Sequence, residues 1–174
     1  MTRWFLFFNA ALLAAATAWA LPAGNYPAEV EWVEASVPDA PSFKTTQGIA
    51  IDMPLHMSVK VAIDPSTLAI GADGVVRYVA YMTNLSGSVS AVYEGIRCTT
   101  DEVKTYARWS QANQWTRSVE PAWKEIKSNS LPSKHAFAIA RQGACEAHLP
   151  RRTVEDIVRA LKRPTRTSEK VEIQ

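Results

Sequence analysis

Cysteine, histidine and glycine are all scarce in this 174-residue chain, which holds two, three and seven of them. Two cysteines cannot supply a four-thiolate zinc site, and neither belongs to a CxxC pair, so no metal centre is expected. So few glycines beside ten prolines exclude a collagen-like or Gly-rich low-complexity chain. The formal net charge of +2 is too small for a surface built to follow phosphates, and no nucleic-acid partner is expected. HExxH, GxSxG, SxxK and P-loop patterns are all missing, so the sequence nominates no catalytic residue and calls for no cofactor. What is present is a chain that is 47% hydrophobic and long enough for one domain with a real core.

The first twenty residues differ in composition from the rest. Arg3 precedes the apolar run WFLFFNAALLAAATA, which closes on Ala18-Trp19-Ala20, with small residues at the two positions a signal peptidase reads. Pro22 then blocks helical continuation. A retained anchor would be longer and followed by basic residues, whereas the next charges are Glu29, Glu31 and Glu34. The expectation is a cleaved signal peptide over 1–20 and a periplasmic chain with no transmembrane span after processing. No cysteine follows the cleavage site, so the chain is not expected to be a lipoprotein.

Export changes the reading of Cys98 and Cys145. Free thiols would be ordinary in the cytosol, but a lone pair in an oxidising compartment is expected to form a bridge. Closing a loop of 47 residues stabilises by about 4 kcal/mol on the chain-entropy model.

Residues 21–55 carry Pro22, Pro27, Pro38, Pro41 and Pro54 and show no periodicity. They read as an extended arm that becomes ordered where Tyr26, Trp32 and Phe43 find apolar surface. A β-rich domain then spans 56–162. MSVKVAI (57–63), VVRYVAYMTN (75–84), VSAVYEGIRCT (89–99) and EVKTYARWS (102–110) are strand-like runs, separated by turn signals such as Asp73-Gly74. Their spacing predicts an antiparallel meander. AFAIARQ (136–142) reads as a short further strand. One helix is predicted, starting at Thr153, with Val154, Ile157, Val158 and Leu161 in one apolar stripe and Pro164 ending it. The residues 163–174 are polar and read as a flexible tail. The fold class is α+β: a curved, mainly antiparallel sheet with one C-terminal helix packed on it.

Charge is divided along the chain. Residues 21–75 carry seven acidic and two basic groups, and residues 76–174 carry ten acidic and sixteen basic. Either the acidic arm lies on the basic body, or the body offers a basic face to an anionic envelope partner. Within that body Trp115, Arg117, Arg97 and Trp123 form a candidate binding surface, since indole supplies contact area and guanidinium pairs with carboxylate or phosphate. The alternative is that the rings fill the core. In KTYARW, strict alternation puts Tyr106 and Arg108 on one face and Thr105, Ala107 and Trp109 on the other.

In YEGIRC, Gly95 within a strand points to a bulge or a close backbone contact. An inward Glu94 would need a basic partner or would be protonated; Arg77 is the candidate for a structural ion pair, with Arg97 the alternative. The histidines are His56, His135 and His148; the last two flank Cys145. A Cys–His nucleophile there would need a free thiol.

GADGVVRYV (71–79), YEGIRC (93–98), KTYARW (104–109), the W-x5-PAW spacing (115–123) and the late cysteine resemble the cryptic-neisserial-protein-like (CNP-like) family. The resemblance covers roughly 50–160. It implies a small exported proteobacterial domain, periplasmic or attached to the envelope, and it brings no catalytic residues. The functional expectation is therefore a non-enzymatic module binding an envelope component or a periplasmic protein. The rival is a small periplasmic hydrolase or transferase using His135 and His148. Oligomeric state is not legible.

Overall fold

Alternating β-branched and aromatic residues in VRYVAYMT and VSAVYEGIR give both strands apolar side chains on both faces, so each face of the sheet needs a cover. The computed structural model describes residues 31–54, 57–110, 114–127 and 133–163. The leader over 1–20, Tyr26, His56, most of the polar tip at 111–114 and the tail beyond 163 lie outside the described residues.

Strands β1 (Ile49–Ile51), β2 (Lys60–Ile63), β3 (Ala69–Ile70), β4 (Val76–Thr83), β5 (Val89–Arg97), β6 (Glu102–Trp109), β7 (Trp115–Arg117) and β8 (Lys124–Glu125) form one antiparallel sheet. Its order is β1-β2-β4-β5-β6-β7, with β3 also on β4 and β8 also on β6. The expected meander is β4-β5-β6. The fold is α+β.

One face is covered by helices. Helix α1 (Lys134–Ile139) runs on into a wider turn over Ala140–Ala144, and α2 (Val154–Leu161) follows a two-stranded hairpin of β9 (Cys145–Glu146) and β10 (Leu149–Pro150). Thr153 caps α2 as expected, its hydroxyl accepting from the Asp156 amide at 3.1 Å. Ile157 and Leu161 are buried against Val76, Tyr78, Ala80 and Ile96 in the larger core. The segment 136–142 is helical and not a strand. Its buried positions, Ala136, Ile139, Gly143 and Ala144, fall at helical spacing once the window extends past 142. Three alanines in that stretch also favour helix over strand.

The arm covers the other face, and it is shorter than the sequence suggests. Residues 49–51 leave it to become an edge strand, with Ile49 and Ile51 in the helix-side core. Gln142 shields that edge: its side chain donates to Ala50 O at 2.9 Å and accepts from the Asp52 amide at 2.8 Å. An edge occupied this way is unavailable for pairing with another chain.

Two ties hold the layers. The Cys98–Cys145 disulfide joins the end of β5 to β9 and thereby links sheet to helices. The second tie is polar. Gly74 turns the chain at φ +76°, and the preceding Asp73 is aimed back at Arg77, with N···O distances of 2.6 and 3.1 Å. Asp73 also accepts from the amides of Ala35 and Val75. Burial pushes its carboxyl up, but these donors prevail and hold it down at about 2.

Removing the bridge by Cys98→Ala with Cys145→Ala is expected to cost about 4 kcal/mol in urea unfolding; a loss under about 1 kcal/mol would contradict the chain-entropy account. Asp73→Ala leaves Arg77, 4% exposed, without its counter-charge. The expected loss in the same measurement is about 3–5 kcal/mol, against little for an exposed pair such as Arg159–Asp156.

Candidate functional site

Two places gather polar side chains over the sheet, one on each face. On the arm side Arg97 and Trp123 meet one end of the arm, and Trp115 and Arg117 the other. The Arg97 guanidinium lies over the Trp32 ring at 4.3 Å, and Trp123 meets Trp32 edge-on at 5.8 Å. Trp115 donates from Nε1 to Pro41 O at 3.0 Å, and Arg117 pairs with Asp39. Glu34 binds Lys104 at 2.6 Å and accepts the Tyr106 hydroxyl at 2.8 Å. Burial, reinforced by Glu34, raises the Tyr106 phenol far above its usual range and keeps it a donor. Phe43 sits among Tyr81, Trp109 and Trp115 with ring centroids 5.5–6.1 Å apart. Both sequence alternatives thus meet: the acidic arm lies on the basic body, and Trp109 and Trp115 are half-buried under it.

On the helix side a cleft of about 250 Å³ opens between β5, β6 and the 118–125 segment, with Thr105, Arg108, Ser118 and Lys124 in its walls and Glu94 at its base. Glu94 does turn inward, to 2% exposure, but its partner is not Arg77. It accepts from Thr105 Oγ1 at 2.8 Å and Tyr78 Oη at 3.3 Å, and pairs with His135 Nε2 at 2.7 Å. Arg77 projects to the opposite face and is taken by Asp73, because neighbours along a strand point to opposite sides and the Asp73-Gly74 turn delivers an acid to the Arg77 side. Arg97 is engaged with Glu102 at 3.2 Å and with Trp32.

The β5–β6 register explains why Thr105 and Arg108 share this cleft. Glu94 faces Thr105 while Tyr93 faces Ala107, leaving Tyr106 as an extra residue that reverses the alternation beyond it. Tyr106 and Ala107 therefore both lie in the arm-side cluster, against the strict alternation read from KTYARW. Gly95 is the close-contact position: a Cβ there would stand 2.6 Å from Tyr106 Oη and 2.7 Å from Val75 Cγ1. Sequence reasoning missed the His135–Glu94 and Asp73–Arg77 pairs. The nearest signal for the second was an acid at a Gly turn four residues before a strand arginine.

His135 and His148 do not converge. His148 is exposed and pairs with Asp101 at 3.0 Å, a separate acid from the one His135 holds. Among the described residues no group of three or more His, Cys, Asp or Glu is placed to hold a metal ion.

The sequence profile of the CNP1-like family matches residues 27–162, most of the chain. The chain belongs to the CNP1-like family. Comparison with the curated proteins and with solved structures finds no match in either. The match takes in the acidic arm from residue 27 onward, so in this CNP1-like chain arm and sheet fall within one family unit. Function in the family is not assigned. Among the described residues of this CNP1-like domain, no helix is long and apolar enough to cross a membrane.

Burial of His135 lowers its affinity for a proton and Arg108 adds to that, but the charge and hydrogen bond of Glu94 outweigh both and raise its pKa above 6.5. The imidazolium form is thus favoured by folding. That stabilisation is complete below pH 6.5 and is lost as pH rises through the higher folded-state value. Stability measured by urea unfolding is expected to fall over that alkaline limb in the native chain, and His135→Gln removes this component of the pH dependence. An identical limb in the variant would assign it to another group.

Proposed function

We propose that the chain is exported through a cleaved leader over residues 1–20 and works in the periplasm as a non-enzymatic binding module. Its recognition surface is the arm side of the sheet. The observation carrying this reading is that Trp115, Arg117, Arg97 and Trp123 all grip an extended acidic segment by stacking and charge. That is the chemistry of a polypeptide-binding face. Export is supported by the leader pattern and by the disulfide, which persists in an oxidising compartment and is rare in the cytosol.

A hydrolase or transferase has one element in its favour, the His135–Glu94 pair beside an open cleft. His135 Nε2 is occupied by Glu94, and His148 serves a different acid, so the two histidines named for that chemistry do not act together.

Fractionation of cells producing the full chain is expected to place a product shortened by about twenty residues in the periplasm. Crosslinking in intact cells is then expected to capture partners, with recovery falling several-fold for Trp115→Ala with Arg117→Ala. Unprocessed protein in the cytosol would defeat the export reading, and unchanged recovery from a folded double variant would defeat the binding reading.

A further inference from the structure

The arm rests on the sheet as a bound peptide does, not as a strand. Among the described residues no main-chain hydrogen bond joins residues 32–44 to the backbone of the sheet. Main-chain groups of the arm meet side chains instead: the Ala35 amide meets Asp73 at 2.9 Å, Pro41 O meets Trp115 at 3.0 Å, and the Lys44 amide meets Asp64 at 2.6 Å. Four side chains anchor it. Trp32 packs under Arg97, Glu34 joins Lys104 and Tyr106, Asp39 joins Arg117, and Phe43 enters the ring of Tyr81, Trp109 and Trp115. Such contacts read side-chain identity and spacing, and any extended chain with the same pattern can make them.

The arm does not fill the face. A half-open groove of about 200 Å³ lies between Val37–Ala40 of the arm and Tyr93, Tyr106 and Ala107 of the sheet. The groove is open to solvent along one side, so a larger apolar side chain at either arm position has room to enter it and displace water from Tyr93, Tyr106 and Ala107. Val33 is 77% exposed, and Trp32, 37% exposed, is held at the upstream end of the arm by Arg97 over its ring, by the edge of Trp123 and by its Nε1 donating to Asp73 O at 2.9 Å.

We infer that this face reads extended acidic segments of a partner polypeptide. Such a segment carries Trp, then Glu two residues on, Asp five further and Phe four further, with a bulkier apolar side chain where the arm has Val37 or Ala40. The arm occupies the site in cis as a tethered, under-filling competitor. A second copy of this chain would bring the same Val37 and Ala40 and leave the same groove, which is why the occupant assigned is a different polypeptide. Tethering gives the arm an effective concentration in the millimolar range, so a partner must bind tightly enough to displace it. This inference rests on the binding reading above and names its partner class.

The test uses protein purified from the periplasm of cells producing the full chain and a fluorescent peptide with the sequence of residues 31–46, EWVEASVPDAPSFKTT. Trp32→Ala with Glu34→Ala loosens the arm. Anisotropy is expected to show the peptide binding this variant at least tenfold more tightly than it binds the unmodified protein. A peptide with Leu at the Val37 and Ala40 positions binds more tightly again. Replacing its Glu and Asp by Gln and Asn weakens binding, as does added salt. Trp32→Ala alone serves if the double variant loses its far-UV circular dichroism. No binding to a loosened variant that keeps its fold and disulfide overturns the inference, as does a Leu-substituted peptide that binds no better. A loosened variant that dimerises and excludes the peptide assigns the face to a second copy, and so overturns the partner class. Fractionation and in-cell crosslinking would be untouched by these failures, so the broader binding reading stands or falls separately.

Discussion

β4 and β5 are apolar on both sides, and that two-sided burial is the constraint from which the rest of the architecture follows. Tyr78, Ala80 and Ile96 look one way, Val79, Tyr81 and Tyr93 the other, and all six are buried. A sheet with one wet face would have needed only the helices. Here α1 and α2 cover the first set, and no further helix is available among the described residues for the second. The arm takes that place, with its inward positions at Glu34, Val37, Ala40 and Phe43. Large apolar side chains stabilise by about 1.5–3 kcal/mol when fully buried, whereas exposed ion pairs contribute about 0–1 kcal/mol. The apolar hold of the arm therefore draws on half-buried Phe43 among its aromatic neighbours and on Trp32 under Arg97. The exposed Asp39–Arg117 pair sets register and direction more than affinity, whereas Glu34 is part-buried against Lys104 and Tyr106 and adds to the hold.

The uneven charge along the chain acquires a physical meaning from this arrangement. An acidic segment followed by a basic body is a self-complementary pair, and Glu34–Lys104 and Asp39–Arg117 are its contacts. Joined in one chain, the two halves meet without the translational cost of association. The same contacts keep Arg97, Lys104 and Arg117 from presenting bare charge in the absence of a partner.

On the other face, polar groups are buried with their partners. Glu94 carries three donors, and the disulfide brings Cys98 and the helical turn together at the lower edge of the same core. Ionised groups at this depth persist only when paired. Asp73 and Arg77 solve the same problem on the arm face, where each would be costly alone.

The strands of the meander, the capped α2 and the disulfide were legible because each rests on a local rule or on redox compartment. The helix over 134–144 was not, since a seven-residue window of alternating Ala, Phe and Ile also fits a period of two. Trp115, Arg117, Arg97 and Trp123 stood out by residue type, and all four meet the arm. That they hold the arm was open, because charge imbalance states that two segments attract and not where they touch. The extra residue at Tyr106 was hidden because a bulge is decided by what lies opposite. Glu94 and Arg77 are both inward-facing strand residues, and the sequence allowed them to pair.

By itself, then, the amino-acid order determined which segments extend, which one coils at 153–161, that two sulfurs form a cross-link, and that acid and base are segregated along the chain. Those properties depend on neighbours within a few residues, or on there being no other candidate partner. Only the tertiary structure decided that Glu94 belongs to His135, that Asp73 claims Arg77, and that the arm lies over a face without filling it. Each depends on which side of the sheet a residue reaches and on what is brought to that side. Glu94 and His135 are 41 residues apart and Glu34 and Lys104 are 70 apart, whereas Asp73 and Arg77 are four apart and meet because the Gly74 turn folds one back on the other.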